Sequence, residues 1–371
     1  MVREFMTHWD EKTPIWFERE EDELIGTQRA GGRPMPRIRM MDLFRGPTNR
    51  DGNKPIVVWA GEDGVIEACW TAGPEPHFHR PADYDVLVFQ YCGRAAAETE
   101  MGEFELGPGY CLHVPAGVAY RLVGNPQCRQ MVVKLNKPVT LGVEPDHPLT
   151  ETAFDVRADG GQTDGQPVQL PPRTGKILEV TEFWQDALDP IVIERDHAKL
   201  VGCLSGPPGR DAPLPGTRRA SVIRVFDYFV GMTGKGSARA PQHYESENFR
   251  TDSYNTEGQQ FGFHRGMDDD EIWFQFRGHA TNETEWGIHE LDPLEMGYVP
   301  RGIAHRIVGG EGFLRFVLYF RHPMYPVVDE SAHTGRSSAR VDTVAFKELP
   351  ALAEAKAKLQ EAAHSRGGPS R

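Results

Sequence analysis

Three side chains in the last third of the chain could bind a redox metal. They are His264, Glu271 seven residues on, and His305 at the end of Pro300-Arg301-Gly302-Ile303-Ala304-His305. Two imidazoles and one carboxylate on one face are the ligand set of mononuclear non-haem Fe(II) sites. Three protein ligands leave three octahedral positions open for a chelating substrate and O2, whereas a structural site is closed by protein ligands. Alternation along the strand that starts at Glu271 puts Trp273, Gln275 and Arg277 on the same side as that carboxylate. Trp273 could stack on a ring, and Arg277 and Arg301 could clamp a substrate carboxylate. His243, His279 and His289 are candidates for acid/base work, because imidazole titrates near neutrality.

The chain supplies its own control for these assignments. A shift of 185 positions lays His79–Asn125 over His264–Gly310 without a gap, and 22 of the 47 aligned pairs are identical. A match of that density across varied residue types marks an internal duplication. His264 falls on His79, but Glu271 falls on Val86 and His305 on Tyr120. Were the three residues needed only to hold the fold, the first copy should need them too. Arg277 faces Cys92 and Arg301 faces Ala116, so both belong to the second copy alone. Gln275 is matched by Gln90, which favours a structural hydrogen bond. Arg265 and Arg306 recur as Arg80 and Arg121 and are read as scaffold, and Asp268-Asp269-Asp270 as turn chemistry. A first-copy site built from His77, His79 and His113 would lack a carboxylate where Glu271 stands.

The elements that must position these groups are short strands. Asp85 to Cys92 and Glu271 to Arg277 are β-branched and aromatic runs closed by Gly93 and Gly278. Val114-Pro115-Ala116-Gly117 and Val299-Pro300-Arg301-Gly302 are turns leading into further apolar strands, Met131 to Val133 and Phe316 to Phe320. Many short strands at regular spacing predict an antiparallel barrel in each copy. A further strand is expected from Val222 to Val230, and a helix after Pro350, where Ala351 to Glu361 are strong helix formers.

The 371 residues allow two domains, and the composition is that of a globular protein. The net charge of −13 disfavours a nucleic-acid partner. No apolar run reaches the roughly 20 residues of a membrane-spanning helix, and no secretory signal is evident at the N-terminus. Cys69, Cys92, Cys111, Cys128 and Cys203 form no paired motif, which fits a reducing cytoplasmic setting.

The two motifs, His with Glu seven residues later and then Pro-x-Gly-x-x-His, resemble those of cupins. Gly262-Phe263-His264-Arg265, the later Glu271, and Arg277-Gly278-His279 resemble the metal motif of the homogentisate 1,2-dioxygenases. The Pro-x-Gly-x-x-His305 element is shared more widely, with gentisate-type enzymes among others. Ala280 stands where the homogentisate family has a Tyr. The resemblance covers about the last third of the chain. It implies an all-β bicupin, two tandem double-stranded β-helix (jelly-roll) barrels with a C-terminal helix. The expected segments are residues 1–140 (arm and metal-free barrel), 141–235 (linker and completing strands), 236–330 (metal-binding barrel) and 331–371 (tail). It also implies an Fe(II)-dependent dioxygenase that opens the ring of a hydroxylated aromatic acid with O2, in a homo-oligomer. A diketone-, flavonol- or phosphonate-type cupin oxygenase keeps the same metal site and is the alternative enzyme. A non-catalytic metal-binding bicupin is the alternative outside enzymes.

Overall fold

The computed structural model describes residues 1–10, 13–25, 36–50, 53–143, 168–173, 175–183, 190–204, 218–229, 231–233 and 240–327. These residues are nearly all strand and turn, and the one α-helix among them is the four-residue His197–Leu200. The helix expected after Pro350 lies outside the described residues.

Four seven-stranded sheets make two barrels, so the chain is an all-β bicupin. In the second barrel one sheet runs, neighbour to neighbour, Ile15–Arg19, Val2–Thr7, Phe263–Gly266, His305–Gly309, Ala280–Thr284, Gly287–Leu291. The facing sheet includes Phe249–Tyr254, Leu314–Phe320, Asp270–Arg277, Glu295–Val299 and Arg37–Arg39. The first barrel repeats this plan with Ile191–Asp196, Ile177–Phe183, Phe78–Pro81, Tyr120–Gly124, Ala95–Thr99 and Gly102–Leu106 in one sheet. Its second sheet includes Gly64–Trp70, Arg129–Leu135, Asp85–Cys92, Tyr110–Val114 and Ser221–Arg224.

The two copies exchange their arms. Residues 2–7 precede the first barrel in sequence yet pair in parallel with Phe263–Gly266 of the second, from Glu4 opposite Phe263 to Thr7 opposite Gly266. Reciprocally, Val180 to Phe183 pair in parallel with Phe78 to Pro81 of the first. Arg37–Arg39 and Ser221–Arg224 cross over in the same way, onto Glu295–Val299 and Tyr110–Val114. Each expected segment ahead of residue 236 therefore serves both barrels, and the duplicated unit includes its arm. The strand expected from Val222 to Val230 ends at Arg224, where its partner strand ends at Tyr110, and a 3-10 turn, Val225–Asp227, follows.

Strand Asp270–Arg277 is buried along both faces except at its last residue. Ile272, Phe274 and Phe276 join a core cluster that also takes in Leu87, Phe89 and Tyr91 of the first barrel. Phe89 stacks on Phe316 at 4.7 Å between centroids and meets Phe274 edge-on at 5.6 Å. Each such ring contributes about 1.5–3 kcal/mol relative to an exposed one. The opposite face of the strand, Glu271 and Trp273, looks into the second barrel, whose apolar lining is Trp273, Trp286, Val299, Ile303, Val317 and Tyr319. Burial on both faces is why the strand reads as a nearly continuous apolar run, with Glu271 and Gln275 as its interior polar exceptions.

Candidate metal centre

His264 and His305 are direct cross-strand partners with ring centroids 4.0 Å apart. Glu271 reaches them from the facing sheet, and one ligand atom from each of the three lies within 4.8 Å of the others. The Pro300–Ile303 turn delivers His305. It needs Gly302 at φ +78°, and the Gly302 amide donates to Gly266 O at 2.6 Å. Gly117 holds the same conformation in the first barrel, so the turn is scaffold, and the position two residues past its end changes, His305 here and Tyr120 there.

The tautomer of His305 follows from its surroundings. Its Nδ1 donates to Ile303 O at 3.1 Å, so in the neutral ring Nε2 carries a lone pair. That Nε2 is buried, has no hydrogen-bond partner, and stands 3.2 Å from Glu271 Oε2. A positive charge must bridge two atoms held that close, a proton on His305 in the metal-free protein or a metal ion in its place. Neighbouring ligands at right angles around a first-row ion with bonds of about 2.1 Å stand about 3 Å apart, which fits. Burial alone would raise the Glu271 carboxyl, but His305, His264 and the Trp273 indole N–H, 3.0 Å away, hold it down to about 2. Burial pushes His264 down to about 3, helped by His305. The carboxylate is thus charged and the first imidazole neutral, the protonation states a metal requires. Gly266, two residues after His264 on the same strand, offers no side chain as a fourth ligand, and the cluster among the described residues is these three alone.

The first barrel lacks such a cluster among the described residues. Tyr120 pairs with His79 where His305 pairs with His264, and Val86 is 1% exposed in its apolar lining. His113 sits opposite Leu87, on the face turned to the other barrel, and bonds Asp85 at 2.9 Å, so no His77, His79, His113 site is assembled.

Of the other sequence candidates, Trp273 lies at the centre, with its ring 5.1 Å from His305. Gln275 donates to the carbonyls of Arg277 and Gly278, as Gln90 does to Cys92 and Gly93, which is a structural task. Arg277 is corrected as a clamp: it is six residues, about 20 Å, along the strand from Glu271. Arg301 is corrected too, because its Nε is taken at 3.0 Å by Asp270, on the opposite face of the strand from Glu271. His243 packs between the barrels against Tyr228 and Phe316, bonded to Ser253 at 2.9 Å, and burial pushes it down to about 3. His279 is exposed and bonded to Asp292 at 2.8 Å, on a turn beyond the far end of the Glu271 strand. Neither can act on a ligand at the metal. His289 is the cross-strand partner of Asn282, two strands or about 10 Å from the His305 strand.

Several lumen residues escaped the sequence reading. Arg250, Asp252 and Tyr254 are ladder partners of Tyr319, Val317 and Arg315, and these in turn partner Glu271, Trp273 and Gln275. All nine therefore share the lumen face. Arg315 is fully buried beneath Trp273, 4.5 Å from its ring, and donates to Gln275 and Asn282 amide oxygens at 2.8–3.1 Å. With no carboxylate in contact, burial pulls its guanidinium down to about 9, against the opposing pull of Glu271. Tyr254 and Tyr319 hydroxyls bond at 2.8 Å. Arg250 is held by Asp269 at 2.8 Å over the Tyr319 ring. Asp252 Oδ1 has no partner, and burial raises this carboxyl to about 7 despite Arg250. The first-copy counterparts Val65, Glu67, Cys69, Gln130 and Lys134 differ at every one of these positions, so an alignment extended on both sides of residues 264–310 would have exposed them.

The Asp252 carboxyl gives a pH prediction. Its folded pKa lies above the ordinary carboxylate value, so its ionisation costs stability from about pH 4, and the cost is full above about pH 7. In metal-free protein, Asp252→Asn should raise the melting temperature by a few degrees at pH 8 and by almost nothing at pH 4. A gap independent of pH would contradict the assignment.

No protein-family profile matches the chain, and no curated protein matches it. Solved structures similar to it include the cupin 2 conserved barrel domain protein from Leptotrichia buccalis, at 8% identity and TM-score 0.40, covering 77% of this chain and 95% of that one. A variant of oxalate decarboxylase from Bacillus subtilis is similar at 12% identity and TM-score 0.38, covering 73% and 71%. Values this low leave the functional argument to the residues themselves.

Proposed function

We propose that the chain is a mononuclear Fe(II)-dependent dioxygenase that opens the ring of a hydroxylated aromatic compound. The observation that carries this reading is the cluster of His264, Glu271 and His305, whose ligand atoms lie within 4.8 Å of one another, with His305 Nε2 3.2 Å from Glu271 Oε2. The donor set is that of the two-His, one-carboxylate class, which favours Fe(II) and open coordination positions. Bound there, the metal would supply electrons to O2 and a Lewis-acid anchor for a phenolate.

The protein's own groups do the rest. Trp273 orients the Glu271 carboxylate through its indole N–H, and Ile303 O fixes the His305 ring. A phenol must lose its proton to chelate, and Asp252, with an unpartnered oxygen and a pKa near neutrality, is the lumen base suited to take it. The Tyr254–Tyr319 pair, with Tyr319 partnering Glu271 across the ladder, supplies hydroxyl donors on the same face. An aromatic acid, rather than a neutral phenol, loses its support from Arg277 and Arg301, which stand outside the reach of the metal.

Anaerobic reconstitution with Fe(II), followed by oxygen uptake against a panel of dihydroxy aromatic acids and neutral dihydroxybenzenes, tests the reading. We expect uptake equal to ring-opened product for at least one of them. Full iron occupancy with no uptake on any would overturn ring cleavage.

A further inference from the structure

The row of side chains that contains His264 and His305 continues onto the exchanged arm. Trp16 pairs with Phe5, Phe5 with His264, and His264 with His305, so the four stand side by side on one face of the sheet. Phe5 stacks on the His264 ring with centroids 5.4 Å apart and planes inclined by 17°. Trp16 lies 4.9 Å from Phe5, and Phe261 closes the group at 6.1 Å from Phe5 and 5.8 Å from Trp16. The wall begins at a metal ligand and ends in solvent, where Trp16 is 47% and Phe261 51% exposed. Large rings clustered in water beside a metal-ligand cluster distinguish a ligand surface from scattered exposure.

The first barrel again provides the comparison. There Thr181 stands opposite His79 and Val192 opposite Thr181, in the places of Phe5 and Trp16, and Pro76 aligns with Phe261. The barrel without ligands sets one arm ring, Phe183, on His79 at 5.7 Å between centroids but has no counterpart of Trp16 or Phe261, whereas the barrel with ligands has three rings, two of them on a segment borrowed from the other copy. Arm exchange alone does not require the outer rings, since the first barrel has Val192 and Pro76 in the places of Trp16 and Phe261.

We infer that Phe5, Trp16 and Phe261 form a docking wall for the planar, apolar ring of a small molecule whose other end chelates the metal. The inference rests on the metal reading above and adds to it where the ring lies and which residues select it. Selectivity for a ring over an alkyl group of the same chelator would come from these three side chains, not from the ligand triad.

Two hydroxamates separate the contributions, because benzohydroxamate and acetohydroxamate share the chelating group and differ in the ring. Titrated into Co(II)-loaded protein, benzohydroxamate should bind roughly tenfold or more tightly than acetohydroxamate. Trp16→Ala with Phe261→Ala should shrink that ratio several-fold while leaving acetohydroxamate affinity unchanged, and Trp16→Phe should largely keep it. Thermal melts of the same samples verify folding, and Phe261→Ala alone, at a half-exposed position, serves if the double variant melts early. An unchanged ratio in the alanine variants overturns the wall while the metal reading stands. Failure of both hydroxamates to bind overturns the open metal positions and the wall with them. Self-association of the native chain that Trp16→Ala abolishes would assign the rings to a second copy of the chain and overturn the proposal.

Discussion

Glu271→Ala should lower bound iron from one equivalent per chain to none, abolish oxygen uptake, and leave the barrels folded. The carboxylate is the only negative ligand, and without it His264 and His305 offer two neutral nitrogens for a divalent ion. The fold has already been tested without it, since Val86 fills the aligned place in the first barrel and is buried among apolar residues there. What the variant leaves behind is the Trp273 indole N–H without its acceptor, a cost of about 1–3 kcal/mol. The native protein should also gain thermal stability on Fe(II) addition, about 2.7 kcal/mol at a hundredfold excess over Kd, and the variant should gain none. Metal analysis after anaerobic reconstitution, with paired melting curves, gives both readings. Retention of iron by the variant, or two equivalents in the native chain, would remove the assignment. A melting temperature lowered by tens of degrees would make the carboxylate a structural residue.

How much of this was readable in the sequence depended on where the two copies still agree. Through residues 79–125 and 264–310 identities are dense, so the barrels, the turns at Gly117 and Gly302, and the replacement of Glu271 and His305 by Val86 and Tyr120 stand out by subtraction. Outside that window the copies diverge, and the lumen residues Asp252, Tyr254, Arg315 and Tyr319 were hidden among changes of every kind. Arg277 misled because alternation gives the face a side chain occupies but not its depth, and six residues of strand carry it far from the ligands. Arg301 misled for a different reason. Its difference from Ala116 is real, but Asp270 takes its guanidinium on the inter-barrel side, whereas Asp85 at the same place takes Arg218. The histidines illustrate the third limit, since His243 differs from Val58 because it packs between barrels, not because it meets a substrate. Arm exchange left no local signature either. Parallel pairing of Glu4 with Phe263 joins residues more than 250 positions apart, and no pattern in residues 2–7 names its partner.

Deleting residues 1–24 should abolish metal binding although every ligand remains in the chain. The strand that carries His264 is Phe263–Gly266, and on its barrel side it is paired through a single position, His264 opposite His305. On its other side four consecutive residues of the arm, Glu4 to Thr7, hold it. The arm also brings Glu4, nearly fully buried, to Arg265 at 2.9 Å, Glu21 to Arg306, and Leu24 onto Phe263 and Ala304. Removing it takes one of two carboxylate partners from each of two largely buried guanidinium groups, leaving Arg265 with Glu285 and Arg306 with Glu283, and exposes Phe263, with Leu24 alone worth about 1.5–3 kcal/mol. The first barrel should survive, because its matching strand Phe78–Pro81 is held by Val180 to Phe183 from the second copy. We therefore expect one cooperative transition at lower temperature and no bound Fe(II), where the native chain binds one. The milder Leu24→Asp should weaken metal binding in the same direction without touching a ligand or any ring of the aromatic wall. If the truncated chain still bound one equivalent with native affinity, His264 would be positioned by the barrel alone, and the exchanged arm would have no part in building the centre.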